Sequence, residues 1–294
     1  MRARLWPARL LTLFTLLTLL GAGQAGAADY PFTVPWNDAV ASPSNVAGLV
    51  LDAPAGRHGA VIADGDRLVF ADTGEAASFW GMVISVSRSF PPRDPQDADA
   101  VVAKLARYGF NFVRLNGIDF ARVGLYAKWR DTDKLDDDWM QRFDYFVAAL
   151  RKAGIYYAVS VNHMSGKYAP DGELPFNETA PRHKNYNVMQ LVDDGAIRAA
   201  QAWYTAVLTH RNRYTGLTLL GDPAHVHLSA VGEDSVFNPW LRGWDRLPVP
   251  VREALRLKFN AFLDARYGDR ARLKAAWSDD DARGLVAGED AADG

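Results

Sequence analysis

Short apolar runs and amphipathic stretches alternate through the middle of the chain. Residues 79–85 (FWGMVIS), 110–115 (FNFVRL), 155–161 (IYYAVSV) and 226–231 (VHLSAV) each read as a short buried strand bounded by turn residues. Helical spacing fills the intervals. Residues 97–108 put Val101, Val102, Leu105 and Tyr108 on one side. Residues 138–153 carry a stripe of Met140, Phe143, Phe146, Val147 and Leu150, and Gly154 stops it. Residues 194–210 form a third helix. Strand–helix alternation with short buried strands predicts parallel βαβ units. Ahead of them, 59–70 (GAVIADGDRLVF) has Asp64-Gly65 between two apolar runs, a hairpin signal, and Asp72-Thr73-Gly74 makes a second turn. After Tyr267 a short helix ends near Trp277. Phe143, Trp203 and Trp277 read as core aromatics. His225 and His227 are two apart, which on a regular strand places both on one face. No third ligand is placed beside them, so hydrogen-bonded layer positions are favoured over a metal pair.

The connections are lopsided. Helix-to-strand turns such as Ala153-Gly154 are tight, whereas strand-to-helix loops are long, the largest spanning 162–192. In a barrel the loops after the strands build the substrate site. A doubly wound sheet should carry a glycine-rich phosphate turn after its first strand. Residues 79–90 hold only Gly81, inside the strand, which argues against nucleotide binding. The stretch Pro223–Trp240 organises the rest. Its apolar run stops at Gly232, and Glu233, Asp234 and Ser235 follow. Carboxylates just past a buried strand either face the mouth of an α/β fold or cap the next helix.

A net charge of −2 gives no sign of a polyanionic partner such as nucleic acid. The absence of cysteine excludes disulfides, thiolate metal sites and cysteine nucleophiles. Arg2, Arg4 and Arg9, the apolar run Leu10–Leu20 and Ala25-Gly26-Ala27 read as a signal peptide over 1–27, cleaved before Ala28. The expected location is secreted or periplasmic. The apolar core is too short for an ordinary membrane span, so no membrane association is expected after cleavage. Residues 28–58 form an N-terminal loop segment, wrapped on the domain or partly a linker, with Trp36 as a packing anchor. Residues 278–294 read as an acidic flexible tail behind a domain spanning 59–277.

Several pieces in order resemble the N-terminal half of a cellulase-type retaining glycoside hydrolase of the (β/α)8-barrel clan. They are FWGMVIS at 79–85, LARYGFNFVRL at 105–115, FDYFVAALRKAGIY at 143–156, HRNRYTGL at 210–217, DPA at 222–224, GEDSVF at 232–237 and FLDARYGD at 262–269. The resemblance implies an α/β fold: a partial (β/α)8 TIM barrel of about four βα units with an N-terminal β-hairpin. It implies hydrolysis of O-glycosyl bonds in a β-linked polysaccharide or glycoside, with no cofactor and no metal. Glu233 falls on the family's general acid/base, which protonates the leaving group and later activates water. Arg114 falls on the arginine that supports the catalytic carboxylate of the seventh strand. Asn162 and His163 fall where relatives place a sugar-binding loop. Tyr168 and Trp240, with Trp129, Tyr186 and Trp244, lie in or near strand-to-helix loops and offer flat faces for sugar rings.

Two departures temper the expected activity. Relatives carry Asn before the acid/base, where this chain has Gly232. The family nucleophile sits on a seventh strand, and only four barrel strands can be counted in these 294 residues. A retaining pair needs two carboxyls about 5–5.5 Å apart. The expectation is therefore a truncated or excerpted chain of impaired activity. The alternatives are a non-catalytic carbohydrate-binding remnant and a structural half barrel that self-associates, or is completed by a partner, through exposed edges.

Overall fold

The computed structural model describes residues 44–85, 90–118, 135–161, 188, 190–230, 244–247 and 249–277. All of them belong to one compact unit. A four-residue helix, α1 (Ala47–Val50), precedes the hairpin β1 (Val61–Asp64) and β2 (Arg67–Phe70), which pair antiparallel. Then come β3 (Gly81–Ser85), α2 (Pro95–Arg107), β4 (Phe112–Asn116), α3 (Asp137–Lys152), β5 (Tyr156–Ser160), α4 (Asp194–Thr209) and β6 (His225–Ser229). Two further helices follow, α5 (Val249–Tyr267) and α6 (Arg270–Trp277). Among the described residues, β3–β6 form one four-stranded sheet, parallel throughout and in sequence order. A doubly wound sheet reverses direction and starts in its middle. Consecutive order with the first and last strands at the edges is the order of barrel strands. The fold is thus α/β, a hairpin followed by a parallel sheet flanked by helices, consistent with about four βα units of a (β/α)8 barrel.

Local signals explain the element ends. Pro95 occupies the first turn of α2, where its missing N–H costs nothing. The carboxylates of Asp136 and Asp193 accept the Trp139 and Ala196 amides at 2.7 and 2.8 Å, starting α3 and α4. α3 ends in a Schellman motif. Ile155 N–H donates to Leu150 O at 2.9 Å and Gly154 N–H to Arg151 O at 3.1 Å, with Gly154 at φ +84°. Phe110 and Gly109 make the same two bonds to Leu105 and Ala106 at the end of α2. These reversals make the helix-to-strand turns short.

The core lies between sheet and helices. Val113, Leu115, Tyr157 and Val159 of the sheet and Phe146, Leu150 and Trp203 of α3 and α4 are each at most 1% exposed within it. Below the sheet, residues 44–60 run as a strap across three successive strand entrances. Val46 N–H donates to Arg107 O at 3.0 Å, and Arg107 also donates to Ser44 Oγ. Ala55 N–H donates to Arg151 O at 2.8 Å, and Gly56 abuts Pro223 and Ala224.

Several expectations are corrected. Tyr108 is not on the apolar side of α2; it is the C-cap residue and is largely exposed. Trp277 is not core: it is 41% exposed and packs on Phe259 and Tyr267 at the end of the chain's last described helix. Trp244 is not an open-cleft aromatic; it packs against the small cluster of Val188, Ala196, Leu247 and Val251 that joins α4 to α5. Residues 249–267, left unassigned by periodicity, form the longest helix described. No helix among the described residues is long and apolar enough to cross a membrane. Residues 1–43 and 278–294, including the segment read as a signal peptide, Trp36 and the acidic tail, lie outside the described residues.

Candidate functional site at the strand ends

Side chains alternate across a strand, so the register of the sheet defines layers on the face opposite the helices. At the N-terminal end Gly81, Phe112 and Tyr156 are neighbours. Val83, Arg114, Ala158 and His227 form the middle layer. At the C-terminal end Ser85 pairs with Asn116 and Ser160 with Ser229, one residue beyond the Leu115–Val159 pair. This inner face is graded. The bottom is aromatic: Phe79 packs on Phe112 at 5.4 Å and on Tyr156 at 5.5 Å, and Phe70 of the hairpin lies 5.7 Å from Tyr156. The top is three serines and an asparagine. Among the described residues, polar side chains are concentrated toward the C-terminal rim, and Phe70 of the hairpin packs at the other end.

Arg114 is the charged residue among the described strand positions of the inner face. Its Nε–H donates to Ser160 Oγ at 3.0 Å, across the gap between β4 and β5. Its layer neighbours Val83 and Ala158 offer no polar side chain. Ser160 is 1% exposed and Arg114 is partly buried. Among the described residues Arg114 makes no ion pair. The hydroxyl bond uses one of the five guanidinium donors, and among the described residues the terminal NH2 groups make no further hydrogen bond, so they can meet an oxygen ligand.

The two histidines of β6 differ in surroundings. A register irregularity pairs His225 with Tyr157 and His227 with Ala158. Tyr157 and Ala158 are successive, so β6 carries one extra residue against β5 here and departs from regular period-two pairing. His225 packs 5.3 Å from the Tyr157 ring, and its Nδ1 bonds to Leu219 O at 2.9 Å. Burial holds its pKa below the usual histidine value. His227 is exposed on the inner face. No cluster of three metal-ligating side chains exists among the described residues.

On the helix side of the sheet, the HRN and DPA pieces of the sequence prove structural. Asp144, 1% exposed, accepts from His210 Nε2 at 3.0 Å and from Arg213 N–H at 3.0 Å, while Asn212 Nδ2 donates to Asp144 O at 2.9 Å. Asp222 accepts from Tyr157 Oη at 3.0 Å and from Ala224 N–H at 2.9 Å. The two carboxylates line a cavity of about 20 Å³, room for about one water. Asp222 and burial push the Tyr157 phenol well above its ordinary pKa, burial contributing most.

Of the residues singled out in the sequence, Arg114 is placed by the structure at the inner face. Asn162, His163, Tyr168, Glu233 and Trp240 lie outside the described residues, as do Trp129 and Tyr186. Val161 is the last described residue after β5, and Ala230 the last after β6. Ser85, Asn116, Ser160 and Ser229, which the register brings together at the C-terminal end of the inner face, were not singled out in the sequence. Their signal is a polar residue at the inward step of each strand's last turn, which becomes readable only once register is known.

No protein-family model matches the chain. No curated protein matches it. Among solved structures it is similar to the endo-1,4-beta-mannanase from Rhizomucor miehei, with 15% identity and a TM-score of 0.43, over 70% of this chain and 57% of that one. The chain therefore spans little more than half the length of that protein.

Proposed function

We propose that the chain is a glycoside hydrolase-like protein that takes carbohydrate at the C-terminal ends of β3–β6. The reaction is hydrolysis of O-glycosyl bonds in a β-linked polysaccharide or glycoside. The observation that carries this reading is the graded inner face, with Arg114 beneath a rim of Ser85, Asn116, Ser160 and Ser229 and an aromatic floor at the far end. Hydroxyl-rich ligands need dense, neutral hydrogen-bonding surface, which Ser85, Asn116 and Ser229 supply while the buried Ser160 holds Arg114. The sequence pieces that resemble retaining glycoside hydrolases add the chemistry. Glu233 is the general acid/base, and Arg114 gives charge-assisted hydrogen bonds to a carboxylate or sugar oxygen. Asn162, His163, Tyr168 and Trp240 hold the sugar. A double displacement also needs a carboxylate nucleophile, and none is assigned in these residues.

The test is calorimetric titration with β-glucan, β-mannan and aryl β-glycosides, followed by turnover assays. Saccharide binding that is lost in Arg114→Ala is the expected result, with turnover impaired or nearly silent and any residual activity lost in Glu233→Gln. No binding to any of the panel would reject the reading. A second reading, carbohydrate binding without turnover, is favoured by Gly232, which removes an amide side chain beside the acid. Binding with no turnover and no covalent adduct from a 2-fluoro glycoside would select it.

A further inference from the structure

The position of Arg114 raises the question of what aims it. Arginine has a long side chain with large rotamer freedom, and a guanidinium binds well only when its plane is fixed beforehand. Among the described residues, the register neighbours of Arg114 in its own layer are the hydrocarbon side chains of Val83 and Ala158. Its Nε–H reaches one layer toward the rim, to Ser160 Oγ at 3.0 Å. Ser160 is the last residue of the neighbouring strand β5, which is interior to the sheet, with Ser229 as its register partner on β6. At 1% exposure its hydroxyl is shielded from competing water.

We propose that Ser160 is the positioning residue of the rim site. By accepting Nε–H it fixes the guanidinium plane and turns the end carrying both terminal NH2 groups toward bound ligand. That end presents a two-pronged fork, suited to a carboxylate or to two adjacent sugar oxygens. The Nε edge, the other side on which a guanidinium can bind two oxygens, is taken by the serine. Recognition through Arg114 is therefore end-on. The inference rests on the carbohydrate reading for the nature of the ligand, but the Ser160–Arg114 contact can be tested without any ligand.

The experiment has two arms on the full chain. In the first, 15N–1H spectra of the arginine side chains are recorded without ligand, and the Arg114 Nε–H signal is assigned by its loss in Arg114→Lys. Its exchange with water should be slow in the wild type and in Ser160→Thr, and fast in Ser160→Ala. In the second, cellohexaose and mannohexaose are titrated. Ser160→Ala should weaken binding by about tenfold, the scale of a hydrogen bond to a charged group. Ser160→Thr should restore it. In an Arg114→Lys background, which has no Nε–H, Ser160→Ala should have no further effect. A general packing role would give the same loss in both backgrounds and would overturn the proposal. Unchanged exchange in Ser160→Ala, or unchanged affinity despite altered exchange, would also overturn it. If neither oligosaccharide binds the wild type, the carbohydrate reading fails. The exchange arm alone then supports or rejects Ser160 as the residue that holds Arg114.

Discussion

Gly56→Ala probes how tightly the N-terminal strap is pressed beneath the sheet. Gly56 has φ +83°, and an added Cβ would sit 2.7 Å from Pro223 Cγ, 2.9 Å from Ala224 N and 3.1 Å from Pro223 C. Two costs follow. Holding an L-residue in the left-handed region costs about 1–2 kcal/mol. Forcing a methyl against backbone costs about 1–3 kcal/mol more, as in overpacked cores. The total is about 2–5 kcal/mol, a large part of the 5–15 kcal/mol typical of a domain. Gly216→Ala is the control, because it has φ +70° and nothing within 4 Å of the added carbon. Both variants lose the same flexibility in the unfolded chain, so that contribution cancels in the comparison. The assay is equilibrium urea unfolding. With a slope of roughly 2 kcal/mol per molar, Gly56→Ala should unfold about 0.5–1.5 M below Gly216→Ala at unchanged slope. Equal midpoints would show that the strap yields freely, and the argument for a pressed strap would fail.

Three further outcomes are expected. Asp144→Ala leaves Arg213 N–H and His210 without their acceptor and should cost about 2–4 kcal/mol, read from the urea midpoint; a loss under about 0.5 kcal/mol would mean the network is solvated. Tyr157, whose pKa is raised in the fold, stabilises the protein fully below the unfolded phenol pKa of about 10, and that contribution is lost as pH rises through the higher folded value. Tyr157→Phe should therefore lower stability at neutral pH and flatten the alkaline decline; an unchanged alkaline slope would contradict the assignment. His225, whose pKa is depressed, contributes stability above about pH 6.5 that is lost as pH falls toward its folded value, so His225→Asn should flatten the acid slope of the urea midpoint below that pH.

The helix stripes and the buried strand runs were legible because burial imposes period on sequence. Phe143, Phe146 and Leu150 on one side of α3, and Val113 and Leu115 alternating on β4, are direct imprints of one apolar face. Gly154 and Asp64-Gly65 were legible because their backbone geometry demands particular residues. Tyr108 was misplaced because the helix ends one residue earlier, where the cap takes over from the stripe. The bulge in β6 left no local mark: His225-Val226-His227 looks like regular alternation until paired with Tyr157 and Ala158. Ser160 was illegible for a different reason. A lone serine in an apolar run means little until Arg114 of another strand is found 3.0 Å away. Asp144 and Asp222 were noticed only as parts of quoted pieces, and their work is done by partners far along the chain, such as Arg213 and Tyr157.

The strap also has a bearing on the order of assembly during synthesis. Its contacts run along the chain in the same direction as the units they secure: Val46 with Arg107, then Ala55 with Arg151, then Gly56 with Pro223 and Ala224. Each closes a longer loop than the one before, and loop closure costs only slowly more as length grows. As the chain leaves the ribosome, the first unit can be tied down before the second exists, and the second before β6 is made. A circular permutant that moved residues 44–60 behind α6 would reverse that schedule. Its first unit should become protease-resistant later during ribosomal synthesis than in the natural order, because the strap would then be the last segment made.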